Sequence, residues 1–175
     1  MTSMNLYLLA ALSPLFGALL AGFFGRQIGR SGSHIVTILG VTVSLVSSLI
    51  IFRDVLGGHV FNGTVYTWAI IGDVGFEVGF LIDRLSALMM VVVTSVSLMV
   101  HIYTIGYMKE DPGYQRFFSY ISLFTFPMLM LVMSNNFLQL FFGWEAVGLV
   151  SYLLIGFWYK NCLLYTSDAA DDRGC

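Results

Sequence analysis

The chain has 175 residues, of which 58% are hydrophobic and only 10% are charged, and its mean hydropathy is +0.85. This composition lies outside the range of soluble globular domains and indicates an integral membrane protein embedded in a lipid bilayer. The formal net charge is −2 and the eight Lys and Arg residues are scattered singly, which excludes a nucleic-acid-binding surface.

Five apolar stretches, each close to the ~20 residues that a membrane-spanning helix needs, follow one another along the chain. They predict transmembrane helices near residues 4–25, 33–53, 79–104, 117–134 and 136–159. The first stretch lacks the basic leader and small-residue cleavage site of a signal peptide, so we interpret it as a helix. The polar break Ser134-Asn135-Asn136 predicts a tight antiparallel turn between the last two. The expected fold class is an all-α integral membrane protein with about five transmembrane helices.

Residues 54–78 differ from the rest of the chain. A run of β-branched and aromatic residues, Thr64–Trp68, follows an Asn62-Gly63 pair that is typical of tight turns. This pattern predicts a short hairpin-like loop at the membrane surface.

The basic residues between the spans predict how the bundle is oriented. Cytoplasmic loops carry an excess of Lys and Arg, and five of these residues fall on one side of the predicted bundle. We therefore expect that side to be cytoplasmic, with the N-terminus and the hairpin extracytoplasmic in a multi-pass protein. The five residues are Arg26, Arg30, Lys109, Arg116 and Lys160.

The last fourteen residues break the pattern of the preceding ones. Residues 162–175 turn abruptly polar and resemble a translated adaptor or cloning scar, with a natural acidic tail as the alternative. Both cysteines, Cys162 and Cys175, lie there, so residues 1–161 carry no thiolate ligand for a metal or redox centre. The three histidines are too dispersed for a metal site. We expect no metal and no cofactor in this chain.

Glu145 is the strongest functional candidate, because it is the only formally charged residue between Arg116 and Lys160. Its carboxylate lies about eight residues, or roughly 12 Å, into the predicted fifth span. A charge at such depth costs about 2.5–3.5 kcal/mol and usually faces a bundle interior, a water path or a partner charge. The position predicts a role in moving protons or ions. The alternative is a carboxylate that only fixes helix packing.

Three further residues are weaker candidates. Gly148 and Tyr152 share a helix face with Glu145, and this small, polar stripe is expected to face inward. His101 ends the predicted third span near the cytoplasmic interface, where an imidazole could relay protons. The equal alternative is an interfacial histidine that bonds to a carbonyl or a headgroup. Asp83 and Arg84, at the other end of that span, are interpreted as an interfacial anchor.

Several sequence runs together resemble one known family. The run Gly143–Phe157, Gly-Trp-Glu-Ala-Val-Gly-Leu-Val-Ser-Tyr-Leu-Leu-Ile-Gly-Phe, resembles the signature of the L-type antiporter-like subunit of respiratory complex I, the proton-translocating NADH–quinone oxidoreductase. Agreement extends to Phe80–Ser86, His101–Met108 and Gly113–Phe118, so the similarity covers nearly all of residues 4–161. The family's chains are several times longer, and the match is to their N-terminal transmembrane portion. The related large subunit of Mrp-type sodium/proton antiporters shares much of this region.

The resemblance implies a role for Glu145 as the intramembrane glutamate that pairs with a lysine on a later helix and couples quinone reduction to proton movement. It also implies that this is a non-redox subunit: NADH, FMN, iron–sulfur clusters and quinone belong chiefly to other subunits. The expected partners are the other membrane subunits of complex I, in a bacterial inner membrane. Two alternatives stay open, an Mrp-type antiporter subunit and a purely structural membrane scaffold.

Overall fold

The computed structural model describes residues 4–71 and 74–158. The predicted tail at 162–175 and Lys160 lie outside these residues. The helices are α1 (Met4–Leu56), α2 (Arg84–Tyr107), α3 (Tyr114–Val132) and α4 (Phe137–Ile155), with a 3-10 turn at Gly156–Trp158 after α4; the strands are β1 (Phe61–Ile71) and β2 (Val74–Ile82).

Helix α1 is folded back on itself at Gly29. This glycine has φ 71° and ψ −175°, a left-handed conformation that side chains with a Cβ rarely adopt, and it interrupts the helix. The first arm (residues 4–28) and the second arm (residues 30–56) then lie side by side, with Ser44 Oγ donating to the Ala10 carbonyl oxygen at 2.6 Å. Small residues allow this close approach: a Cβ on Gly40 would lie 2.6 Å from the Ser13 carbonyl oxygen. The first two predicted spans are these two arms.

The hairpin is longer than the sequence predicted. Strands β1 and β2 pair antiparallel from Phe61 opposite Ile82, and residues 72–73 between them are outside the described ranges. Asn62 and Gly63 pair with residues of β2, so the expectation of a turn at this pair was wrong. Residues 79–82 belong to β2, so the predicted start of the third span at 79 was also wrong. A tertiary contact explains why these residues form a strand: the Leu81 N–H donates to the Met133 carbonyl oxygen at 2.8 Å and holds β2 against the end of α3.

Helix α2 begins at a side-chain cap. The Asp83 Oδ1 accepts a hydrogen bond from the Ser86 backbone N–H at 2.7 Å. This bond satisfies a first-turn donor, and it holds the pKa of the Asp83 carboxyl below its ordinary value of 3.8. Asp83, which the sequence predicted to be part of an interfacial anchor, is therefore the N-cap of α2.

The two arms of α1 and the three later helices run alternately between two ends of the bundle, each with its own apolar core. At the hairpin end, the buried cluster consists of Tyr7, Ala10, Ala11, Ile51, Val55, Phe80, Ile82, Ala87, Met90, Leu129 and Met133. At the other end, which we call the arginine end because it carries Arg26, Arg30 and Arg116, the cluster consists of Met108, Tyr114, Phe118, Ile121 and Phe157. The prediction that Arg26, Arg30, Lys109 and Arg116 lie on one side is consistent with this arrangement, since Arg30 Nη1 donates to the Lys109 carbonyl oxygen at 2.6 Å.

Four helical elements among the described residues are long and apolar enough to cross a membrane: α1, α2, α3, and α4 with its 3-10 turn. Most of their surface stays outside the core, as lipid contact requires. The chain is a multi-pass, predominantly helical membrane protein. The predicted break at 134–136 is confirmed, since α3 ends at Val132 and α4 begins at Phe137.

Candidate functional site

Glu145 lies at the middle of α4, on the exposed surface of the bundle. Its neighbours Trp144 and Leu149 are also exposed, at 68% and 62% of their side-chain surface. Within residues 4–71 and 74–158, Glu145 makes no hydrogen bond or ion pair. A carboxylate in an apolar helix is therefore presented without a partner from the described part of the chain.

The opposite face of α4 explains this orientation. Only Gln139, Gly143 and Val150 are buried in this helix. Gly143 sets the distance to α3, because a Cβ at this position would lie 3.1 Å from the Cα of Leu131 and 3.2 Å from its backbone nitrogen. Helix α4 therefore packs against α3 along a narrow line of residues, and the rest of its surface is not covered by the described part of the chain.

Gly148 and Tyr152 lie with Glu145 on one helix face, as the spacing predicts, but that face is open. Tyr152 is 67% exposed, and a Cβ on Gly148 would meet no atom within 4 Å. No described residue covers this stripe, so its inward orientation stays a prediction. Since apolar side chains lie all around α4, its sequence does not distinguish the side that α3 covers from the open side.

His101 lies fully buried near the C-terminal end of α2. Its Nδ1 is 2.7 Å from the carbonyl oxygen of Ser97, one turn earlier. The Ser97 Oγ in turn bonds to Thr125 Oγ1 of α3 at 2.6 Å, and the ring of Phe118 packs at 6.0 Å from the imidazole. Helix α3 covers this side of α2, so the imidazole contacts protein, and the position near the membrane interface stays a prediction.

The bond to Ser97 decides which nitrogen of His101 is free. A carbonyl oxygen only accepts, so Nδ1 carries the hydrogen and Nε2 keeps its lone pair in the neutral ring. Nε2 is buried and has no hydrogen-bond partner in the described part of the chain. Such a nitrogen can accept a proton or bind an internal water, which are the two properties that a proton relay needs.

The two titratable candidates are not brought together. Helix α3 packs against both α2 and α4, and no hydrogen bond or ring contact among the described residues joins His101 to Glu145. Any proton transfer between them requires intermediate groups.

Two structurally central residues were missed by the sequence reasoning, Asn136 and Gln139. The Asn136 Oδ1 accepts the Gln139 backbone N–H at 2.8 Å and caps α4. The Gln139 side chain accepts the Gly79 N–H at 2.9 Å and donates to the Met130 carbonyl oxygen at 3.3 Å, tying β2, α3 and α4 together. An Asn followed three residues later by Gln resembles the capping-box pattern, and that signal could have found both.

Within the described ranges, no three His, Cys, Asp or Glu side chains gather in a way that could hold a metal ion.

Comparison with known proteins follows the same residues. Residues 68–118 match the family model "NADH-Ubiquinone oxidoreductase (complex I), chain 5 N-terminus", and residues 134–168 match "NADH:quinone oxidoreductase/Mrp antiporter, TM". NADH-quinone oxidoreductase subunit L of Neisseria meningitidis serogroup A is 66% identical over 164 residues, covering 92% of this chain and 24% of that protein. The chain belongs to the L-type antiporter-like subunits of complex I.

Relatives within this family extend beyond bacteria. NADH-ubiquinone oxidoreductase chain 5 of Arabidopsis thaliana is 50% identical over 157 residues, covering 89% of this chain and 24% of that protein. The chain thus spans about a quarter of the length of these relatives. A solved structure of an archaeal respiratory membrane complex, the membrane-bound sulfane sulfur reductase, contains a chain with the same fold, at a TM-score of 0.70 and 16% identity, covering 90% of this chain and 24% of that chain.

Proposed function

We propose that this chain is part of the membrane arm of an NADH–quinone oxidoreductase and takes part in proton translocation coupled to quinone reduction. The observation that carries the proposal is Glu145, an exposed carboxylate on an apolar helix with no partner among the described residues. Membership of the L-type family supports it.

Glu145 acts in this proposal as a switchable proton site. An apolar environment favours the neutral carboxylic acid, whereas a nearby cation favours the carboxylate. A cationic partner that approaches and withdraws would therefore load and release a proton. The resemblance to the L-type family makes this partner a lysine, which in this proposal belongs to a part of the protein outside the described residues.

The neighbouring residues fit a supporting role. Gly148 leaves room for close approach of another helix beside Glu145, since no atom of the described chain fills that space. The exposed Tyr152 hydroxyl follows on the same face and can donate a hydrogen bond to the carboxylate or to an intervening water. His101 is proposed as a second proton relay through its unpartnered Nε2.

The same proposal includes a membrane topology. The chain would cross a bacterial inner membrane five times, twice through the arms of α1, with the N-terminus and the hairpin extracytoplasmic. The clustering of basic residues at the arginine end supports this orientation. The other membrane subunits would be its partners, and NADH, FMN, iron–sulfur clusters and quinone would be held elsewhere in the complex.

The test is the variant Glu145→Gln in the complete complex, with proton pumping followed by dye quenching in inverted membrane vesicles driven by NADH. We expect the complex to assemble normally and to keep an intact NADH oxidation site, whereas proton pumping is lost. Glu110→Gln, which removes the same charge from an exposed loop, should pump as the parent does. Glu145→Asp should retain part of the activity.

Two outcomes would reject the proposal. Normal pumping by Glu145→Gln would leave the residue a packing role and favour the scaffold alternative. Pumping that requires a sodium gradient and ignores NADH would favour the Mrp-type antiporter, which the description of the second family model also names.

A further inference from the structure

A groove of about 830 Å³ opens at the arginine end, between the first arm of α1 and the N-terminal half of α3. Its floor is the contact between these helices, where Ser119 Oγ donates to the Ala18 carbonyl oxygen at 2.8 Å. Its volume is in the range of small-molecule binding sites. Neither Glu145 nor His101 lines it, so the groove is separate from the proposed proton path.

Two guanidinium groups line this groove, Arg26 from α1 and Arg116 from α3. Arg26 is exposed and makes no hydrogen bond or ion pair with any described residue. Arg116 donates from Nη2 to the Phe157 carbonyl oxygen at 3.3 Å and lies over the Phe157 ring at 4.6 Å, which orients it and leaves most of its donors free.

The nearby Arg30, unlike Arg26, makes contacts that hold the fold together. Its Nη1 donates to the Lys109 carbonyl oxygen at 2.6 Å and its Nη2 to that of Asp111 at 3.3 Å. It also lies over the Tyr114 ring at 5.8 Å. By contrast, Arg26 has no such role in holding the fold together.

The one acidic residue that lines the groove, Asp111, is already engaged. Its Oδ1 accepts the Gly113 N–H at 2.6 Å, and its Oδ2 accepts the Trp158 indole N–H at 2.7 Å. Both oxygens are directed to these partners, so the two arginines remain available to an anion. The groove therefore has a net positive lining.

The walls of the groove are apolar along the membrane side, where Leu19, Phe23 and Leu123 lie. Phe23 is 78% exposed, so this wall opens to the surrounding bilayer. Trp158 and Tyr120 also line the groove, and aromatic residues of this kind favour the level of lipid headgroups. A ligand that fits must carry an anionic head and an apolar body.

We propose that this groove binds one anionic phospholipid, whose phosphodiester contacts Arg26 and Arg116 and whose acyl chains run along Leu19, Phe23 and Leu123. Basic pockets between transmembrane helices on the cytoplasmic side favour such headgroups. The guanidinium forks suit phosphate oxygens, because each can donate two parallel hydrogen bonds. The site needs no part of the proton path and rests on the proposed function only for the cytoplasmic location of the arginine end.

Photocrosslinking of the full chain in its membrane complex tests this site. The complex is reconstituted in vesicles that contain a photoactivatable phosphatidylglycerol or the matching phosphatidylcholine, and labelled peptides are identified by mass spectrometry. Peptides covering residues 18–26 and 112–123 should be labelled about tenfold more by phosphatidylglycerol, since two basic residues face its charge. Unlabelled phosphatidylglycerol should compete, and soluble glycerol phosphate should not.

Matched variants separate the two arginines from general charge. The double change Arg26→Gln with Arg116→Gln should reduce labelling to the phosphatidylcholine level. Arg26→Lys with Arg116→Lys keeps the charge and should retain most of the labelling, which also shows that the site tolerates substitution. Arg84→Gln removes an exposed charge at the hairpin end and should change nothing.

Three results would overturn the proposal. Equal labelling by both lipids would indicate unspecific boundary lipid. Unchanged labelling in the double glutamine variant, with the complex assembled, would show that the arginines do not hold the headgroup. Competition by millimolar glycerol phosphate as effective as that by lipid would assign the groove to a soluble anion.

Discussion

Nδ1 of His101 donates to the carbonyl oxygen of Ser97 at 2.7 Å, and this bond leaves the second ring nitrogen, Nε2, buried without a partner in the described part of the chain. An unsatisfied buried polar group costs about 1–3 kcal/mol. A leucine of similar size would avoid that cost, so the histidine is better explained by a role for its free lone pair than by packing.

The variant His101→Asn tests that role. Its side-chain amide can still donate to the Ser97 carbonyl oxygen, but it cannot take up a proton. We expect assembly to be unchanged and NADH-driven proton pumping to fall by roughly tenfold or more, as for the loss of a positioned proton-transfer group. The measurement is the rate of dye quenching in vesicles. Parental pumping by His101→Asn would restrict His101 to a structural role.

Gly143 and Gly148 form a matched pair on α4. A Cβ on Gly143 would press against the backbone of Leu131, at 3.1 Å from its Cα, whereas a Cβ on Gly148 would meet nothing within 4 Å. We expect Gly143→Ala to destabilise the packing of α4 on α3 by about 1–3 kcal/mol. Gly148→Ala should leave the stability of the chain equal or slightly higher. Thermal unfolding of the detergent-solubilised chain measures both; equal stabilities would mean that α4 does not rest on Leu131.

Asp83 should make the start of α2 sensitive to acid. The Ser86 N–H lowers the pKa of the folded carboxyl below 3.8, so its stabilising contribution is fully present above the unfolded pKa of about 3.9. It is lost as the pH falls through the lower, folded value. We expect the parent to lose stability relative to Asp83→Asn between about pH 5 and pH 2, because asparagine still caps the helix but does not titrate.

The matching control is Asp83→Ala, which should cost about 1 kcal/mol at neutral pH through loss of the cap. Thermal unfolding across this pH range gives both comparisons. A constant difference between the parent and the asparagine variant would show that the Ser86 bond does not depend on charge.

Gly29 is a glycine at which backbone conformation alone should matter. A Cβ there would meet no atom within 4 Å, so the effect of Gly29→Ala must arise from its φ of 71°. We expect a loss of about 1–2 kcal/mol. Gly106→Ala, at an equally open position inside α2, should be neutral or stabilising. Similar unfolding temperatures for the two variants would contradict the left-handed turn between the arms of α1.

Much of the helical pattern could be predicted from the sequence because its signals are local. Long apolar runs specify membrane helices wherever they occur, and the break at Ser134–Asn136 was visible because polar residues there interrupt such a run. The resemblance to the L-type family was likewise carried by contiguous residues, Gly143–Phe157 above all. The β-branched and aromatic run after residue 63 predicted that a hairpin is present, but it did not predict the length of the strands.

Tertiary contacts decided the rest. The run Gly79–Ile82 is apolar enough to continue a membrane helix, but it forms a strand because it pairs with β1 and bonds to the Met133 carbonyl and the Gln139 side chain. The environment of His101 could not be predicted, because burial depends on α3, which is distant in sequence. The side of α4 that α3 covers could not be predicted, because apolar side chains lie all around this helix and the close contact of Gly143 with Leu131 determines the covered face. Hydropathy specified that these segments enter the membrane; packing between distant residues determined which face each one turns outward.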